Sequence, residues 1–264
     1  MPTAKVNGIE LYYESHGEGP AIVFAHGRGG NHVSWWRQVP VFRGQYRCIT
    51  FDQRGWGKST SDPKVGRRSA FGEDLKQLLD HLEVPQAYLV SQSMGGLTCL
   101  DFALAHPDRC LGLVLGDTTG GAGDPTVMEE LKDVFPPPDG PARSISPGFV
   151  ENNPDLVFLH TQIGGLNQTG PQDDIVAAFR DPNGPQAADL SRLKVPTLLI
   201  VGEEDLIFPP RVIRAVQNLI PNAEMEVVPA AAHSAHFEQP EIFNRLVLDF
   251  FAKIAAQRPA VAAD

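Results

Sequence analysis

Short apolar runs alternate along the chain with longer segments in which apolar residues recur every three or four positions. The runs Ala21–Ala25, Tyr46–Phe51, Ala87–Val90, Leu111–Leu115, Thr197–Val201 and Glu224–Val228 read as strands. Most are apolar throughout, the pattern of parallel strands covered on both faces. Phe71, Leu75, Leu78, Leu79 and Leu82 share one face of a helix, as do Ile242, Phe243, Leu246, Val247, Phe250 and Phe251. Ahead of the first run, two short strands meet at Asn7-Gly8, a dipeptide that favours a tight hairpin. The alternation predicts an α/β fold, a doubly wound and mostly parallel sheet with an antiparallel start.

Residues 118–190 break this rhythm. They contain Pro136-Pro137-Pro138 and only short helical stretches, around Val127–Val134, Pro154–Ile163 and Asp173–Phe179. A structureless loop of that length does not belong in a compact domain. The segment is therefore expected to be a helical cap, inserted after the sixth strand over the carboxyl edge of the sheet, where open α/β folds bind ligands. The expected organisation is a core of residues 1–117 and 191–256, a cap of 118–190, and a disordered tail of 257–264.

Composition narrows the choice of partners. The 264 residues carry a net charge of −10, and no Lys/Arg run exceeds Arg67-Arg68, which speaks against nucleic acid and against anionic membranes. No apolar stretch approaches the roughly 18 residues of a membrane span, and the start of the chain has no apolar signal-peptide core. Cys48, Cys99 and Cys110 lie in apolar segments without zinc-type spacing. No His-Glu-x-x-His or Cys–His ligand spacing occurs, so no metal is expected. These features predict a reduced, soluble, cytoplasmic protein. Oligomeric state has no signature here.

The segment with most chemical content is Ala87-Tyr-Leu-Val-Ser91-Gln92-Ser93-Met94-Gly95-Gly96. A strand ends, a small-x-Ser-x-Gly pattern follows, and a helix begins. In a nucleophile elbow such a turn lifts a serine hydroxyl above the sheet. Ser91 stands where glycine is usual. An activated serine needs a base, and the base an orienting acid. Candidates follow the last two strands: Gly202-Glu203-Glu204-Asp205 with Pro209, and His233-Ser-Ala-His236-Phe-Glu238-Gln-Pro240. The chain order Ser…Asp…His suits this topology.

With His26-Gly27-Arg28-Gly29-Gly30 and Asp52-Gln-Arg54-Gly55-Trp-Gly57-Lys-Ser59, these motifs make the chain resemble the α/β-hydrolase superfamily over almost its full length. It looks most like the branch of 3-oxoadipate enol-lactonases, small bacterial esterases and cofactor-free haloperoxidases. The resemblance implies an eight-stranded sheet, with Ser93 as nucleophile, His233 as base and Asp205 as acid. Glu203, Glu204 and Asp117 compete for the acid, and His236 for the base. The family's oxyanion hole implies the backbone N–H groups of Arg28 and Met94. Asp52 and Arg54 are implied to be structural. The Arg28 side chain either holds a substrate carboxylate or stays hydrated. His32, Trp35, Trp36, Phe135, Phe149 and Phe158 are expected to line an apolar pocket.

The implied activity is cleavage of a carboxylic ester or lactone through an acyl-enzyme, without a cofactor. The alternatives are another reaction on the same triad (perhydrolysis or haloperoxidation, C–C hydrolysis, acyl transfer, cofactor-free oxygenation) or a slow-turnover ligand receptor.

Overall fold

The structure is a computed structural model that describes residues 2–62, 67–134, 144–167 and 173–257. Eight strands form one sheet: β1 Thr3–Val6, β2 Ile9–His16, β3 Ala21–Ala25, β4 Arg47–Phe51, β5 Ala87–Gln92, β6 Cys110–Gly116, β7 Thr197–Gly202 and β8 Glu224–Val228. Among the described residues the helices are α1 Val39–Phe42, α2 Arg67–His81, α3 Gly95–Ala105, α4 Pro125–Leu131, α5 Pro147–Asn152, α6 Pro154–Gly165, α7 Asp173–Ala178, α8 Ala187–Leu190, α9 Pro210–Leu219, α10 Ala235–Glu238 and α11 Pro240–Gln257.

Spatially the strands run β1-β2-β4-β3-β5-β6-β7-β8. Asn7 and Gly8 both adopt positive φ, 45° and 78°, the twist a two-residue hairpin requires. This aligns β1 against β2, and β2 then pairs antiparallel with β4. From β4 onward every neighbouring pair is parallel. The chain leaves β3 for β4 on one side and returns as β5 on the other. The loops after β3 and β5 therefore diverge at a switch point, opening the crevice in which such sheets bind ligands.

One apolar layer packs α2, α3 and α9 on the first face through residues such as Phe71, Leu75, Leu97, Leu100 and Val212. A second packs α11 on the other through Phe243, Val247, Phe250, Phe251 and Ile254. Burial on both faces is why β3, β5, β6 and β7 have no exposed residue. The edge strand β8 is different: Glu224 and Glu226 keep it solvated and only Val228 is buried.

Between Gly116 and Thr197 lie α4 to α8. Two of these, α5 and α8, lack enough turns to show a period in the sequence; their starts are set by caps, Ser146 on the Phe149 N–H and a Gln186–Asp189 box. Strand ends extend past the apolar runs, to Gln92, Gly116 and Gly202, whereas Tyr46 precedes β4. Gln257 closes α11 rather than opening a tail. The triple proline at 136–138 and residues 258–264 lie outside the described residues.

Candidate active site

Ser93 follows β5 directly, with φ at +47°, a left-handed conformation uncommon for a side-chain-bearing residue. The strain is held from both sides. The Ser93 N–H donates to the Gly116 carbonyl at 2.9 Å, and the Ser93 carbonyl accepts from the Gly96 N–H at 2.8 Å. Gly95 is obligatory because any Cβ there would run into the Ala25 carbonyl of β3. Ser91 is buried, and its hydroxyl donates to the Val114 carbonyl at 2.8 Å. The unusual residue is thus satisfied within the sheet.

The last two parallel strands bring the partners to the same edge. His233 Nε2 lies 2.8 Å from Ser93 Oγ, and His233 Nδ1 lies 2.8 Å from Asp205 Oδ2. The other oxygen, Asp205 Oδ1, accepts from the N–H groups of Ile207 and Phe208 at 2.7 and 3.0 Å, so the carboxylate cannot rotate freely. Burial of His233 disfavours its cationic form, but the charge and hydrogen bond of Asp205 outweigh this and raise its pKa above the ordinary value.

The competing acids stand elsewhere. Glu203 and Glu204 are exposed. Asp117 is fully buried, yet its oxygens accept from the Gly202 and Ala235 N–H groups at 2.9 and 3.1 Å and not from His233. Burial, reinforced by the nearby Asp205 charge, raises its pKa to about 8. Asp117 therefore ties the end of β7, which leads to Asp205, to the loop that carries His233. Gln92 performs a related task, its amide donating to the His233 carbonyl at 2.6 Å.

The loop after β3 lies beside Ser93. At Gly27 a Cβ would collide with the Gln92 side chain, so the close approach needs glycine. His26 accepts from the Gln53 N–H at 3.0 Å, and its other nitrogen lies 2.8 Å from the Gly27 carbonyl; burial lowers its pKa to about 4. Met94 opens α3, whose first N–H groups have no intrahelical acceptor. Arg28 is exposed and lines the mouth of the cavity.

Two fasteners connect the helices between β6 and β7 to this edge. Asn31 donates to the Ile163 carbonyl at 2.7 Å, while Asn167 donates to the Gly29 carbonyl at 2.8 Å and accepts from the Gly57 N–H at 2.9 Å. On the opposite side the buried Glu238 accepts from the N–H groups of Ser146 and Ala232 at 2.8 and 2.9 Å. Sequence reasoning missed Gln92, Asn31 and Asn167, which lie outside the roles it assigned.

A cavity of about 360 Å³ opens above Ser93 and His233. The expected aromatic lining is corrected here. His32 binds Asp52 through Nδ1 at 2.7 Å and packs on Tyr12, away from the cavity. Trp35 is fully buried against Phe24 and His236. Trp36 and Phe149 stand behind Phe237, which does line the cavity. Phe158 is 66% exposed on the outer side of α6. Phe135 lies outside the described residues. The walls come instead from Ser34, Ser144, His160, Thr161, His236 and Phe237. Asp52 and Arg54 are braces: Asp52 holds the N–H groups of His32 and Lys58, and Arg54 forms a buried bidentate pair with Asp74.

A serine, a base and a fixed carboxylate in line, beside a glycine loop and a helix start, are the parts needed for nucleophilic attack on a carbonyl. Comparison with known proteins identifies the family. The family description "alpha/beta hydrolase fold" matches residues 20–240. The chain is similar to 3-oxoadipate enol-lactonase 2 of Acinetobacter baylyi, 28% identical across 93% of this chain and 94% of that one. It is 34% identical to a 2-hydroxy-6-oxononadienedioate/2-hydroxy-6-oxononatrienedioate hydrolase of Paraburkholderia phymatum, over 93% and 92% of the two chains. A thermophilic esterase from Thermogutta terrifontis superposes with a TM-score of 0.80 at 28% identity, covering 96% of this chain and 99% of that chain.

Proposed function

We propose that this chain, which belongs to the alpha/beta hydrolase family, is a cofactor-independent serine hydrolase cleaving a carboxylic ester or lactone through an acyl-enzyme. The observation that carries the reading is the relay from Ser93 through His233 to Asp205, with 2.8 Å at each step. His233 Nε2 takes the hydroxyl proton as Ser93 Oγ attacks the carbonyl carbon. Asp205 holds the imidazole in the tautomer that accepts at Nε2 and offsets the charge it gains. Oxyanion charge falls to the N–H groups of Arg28 and Met94. The imidazolium then protonates the leaving alcohol, and water, deprotonated by the same base, releases the acid. A lactone needs no separate leaving group, since the ring opens and its alcohol stays tethered.

The test is labelling with a fluorophosphonate serine probe, followed by assay of a short aryl ester and a small lactone. Labelling and turnover, both lost in Ser93→Ala, are expected. No labelling at Ser93 would remove it as nucleophile, and labelling without turnover of either substrate would favour a ligand receptor. The similarity to the Paraburkholderia phymatum hydrolase favours a second reading on the same residues: hydrolysis of the carbon–carbon bond beside a ketone in a 2-hydroxy-6-oxo acid. Turnover of such a ketone faster than any ester or lactone would select it.

A further inference from the structure

The cavity above Ser93 is walled mostly by glycines and polar side chains. Among the described residues that line it, only Phe237 from α10 and Ile163 from α6 carry large apolar side chains. Both belong at the same time to a buried apolar cluster with Ile145 and Phe149, against which Trp36 packs. Phe237 and Ile163 are therefore the partition between an apolar interior and the space a substrate enters. The partition is held firmly. The Phe237 ring meets the rings of His160, Phe149 and Trp36 at 5.1, 6.0 and 6.3 Å, each edge to face, the arrangement aromatic pairs favour. The ring cannot swing aside without breaking all three contacts. Ile163 is fixed through its backbone, whose carbonyl accepts from Asn31 at 2.7 Å.

The space in front of this partition is small. At about 360 Å³ it lies near the lower end of the roughly 300–1,000 Å³ of ligand pockets. Phe237 and Ile163 offer no hydrogen bond, so a polar group pressed against them loses its water without gaining a partner. An alkyl segment gains by burial there instead. A chain directed at the wall is thus favoured while it is short and is stopped when it reaches the ring.

Resting on the hydrolase reading above, we infer that Phe237, together with Ile163, sets the length of the aliphatic chain the substrate can carry, so that the site serves short-chain esters and small lactones. The interior behind the ring is apolar already, and shortening Phe237 joins part of it to the cavity.

The experiment measures kcat/KM for p-nitrophenyl butanoate against octanoate and for butyl against octyl acetate, varying the chain first on the acyl side and then on the alcohol side. In the native protein the eight-carbon member should gain nothing over the four-carbon one. Phe237→Ala gives the longer chain the room of a ring. At about fourfold per methylene newly buried, the eight-to-four ratio should rise about tenfold or more in one of the two series. Phe237→Leu and Ile163→Ala should raise it in that series by about threefold or more, which keeps the test decisive if Phe237→Ala fails to fold. Phe158→Ala, on the outer side of α6, is the control and should leave the ratio unchanged. A variant that merely loosens the helical layer slows both members alike. An unchanged ratio in the wall variants, or a native protein that already prefers eight carbons in both series, overturns the role of the wall and leaves the hydrolase reading standing. If the native protein turns over neither four-carbon ester, the role of the wall falls, and labelling of Ser93 by the fluorophosphonate decides whether the nucleophile falls with it.

Discussion

The buried carboxyl of Asp117 gives the sharpest quantitative expectation. Its folded pKa of about 8, against an ordinary 3.8, means that the folded protein keeps a proton there which the unfolded chain has released. The associated stability is complete below pH 3.8 and is lost as pH rises toward 8. At about 1.4 kcal/mol per pH unit, the loss between pH 5 and pH 8 approaches about 4 kcal/mol. Asp117→Asn has no proton to lose. Asparagine tolerates the φ of +49° at this position, and its amide oxygen can accept one of the two N–H groups now bonded. Loss of the other costs about 1–2 kcal/mol at every pH. Since the native protein has already lost about 1.7 kcal/mol by pH 5 and about 5 kcal/mol by pH 8, the variant should match it near pH 5 and be more stable near pH 8, by about 3–4 kcal/mol. Urea unfolding followed by tryptophan fluorescence at pH 5, 6, 7 and 8, at constant ionic strength, reads the difference directly, because slopes from other groups are common to both proteins. A difference that stays flat across this range would show that the carboxyl is ionised when folded, and would refute the reasoning.

Three further outcomes follow from the site. His233 must be neutral to act as base, and its raised pKa places the acid limb of kcat/KM above pH 6.5; Asp205→Asn should cut kcat by about 10⁴ through loss of the correct tautomer, and a limb below pH 6.5 in the native protein would contradict the assignment. Asn167→Ala removes hydrogen bonds to Gly29 and Gly57; kcat should fall about ten- to a hundredfold by misplacing the loop proposed to hold the oxyanion, with the fluorophosphonate rate falling in parallel, and an unchanged kcat would reduce Asn167 to a structural contact. Arg28→Leu should slow a carboxylate-bearing ester more than its neutral methyl counterpart if the mouth of the cavity selects anions; equal effects on kcat/KM would exclude that role.

The parts of this molecule legible in its sequence are those written by local rules. Strands buried on both faces appear as apolar runs, and the long helices α2 and α11 have enough turns to show their period. Ser93, Asp205 and His233 each sit in a short motif at a strand end, so the topology brings them to one edge. The pocket failed for a geometric reason. In α6 residues 158 and 160 are two positions, about 200°, apart on the helix, so Phe158 faces outward while His160 lines the cavity. The apolar character of a residue cannot choose between those faces, because α6 has no strong amphipathic stripe to orient it. Aromatic character indicated packing, and packing is what Trp35, Trp36 and Phe149 do, one layer behind the walls.

The least legible features are the fasteners, and their arrangement changes the meaning of the inserted helices. Asn31 meets Ile163 across 132 positions, Asn167 meets Gly29 across 138, and Glu238 meets Ser146 across 92. No local pattern specifies such pairs, because each partner is a backbone group that any residue supplies. Yet two of them end on the loop after β3, beside Ser93, and the third on Ser146 opposite Ala232, the neighbour of His233. Opening the helical layer at either edge would break a hydrogen bond that also positions a loop beside Ser93 or His233. The free energy that keeps the roof in place is thus shared with the free energy that keeps Ser93 and His233 in register, so on the proposed hydrolase reading the layer next to the cavity is part of the catalytic frame. Loosening it by mutation should lower kcat before it changes which substrates enter.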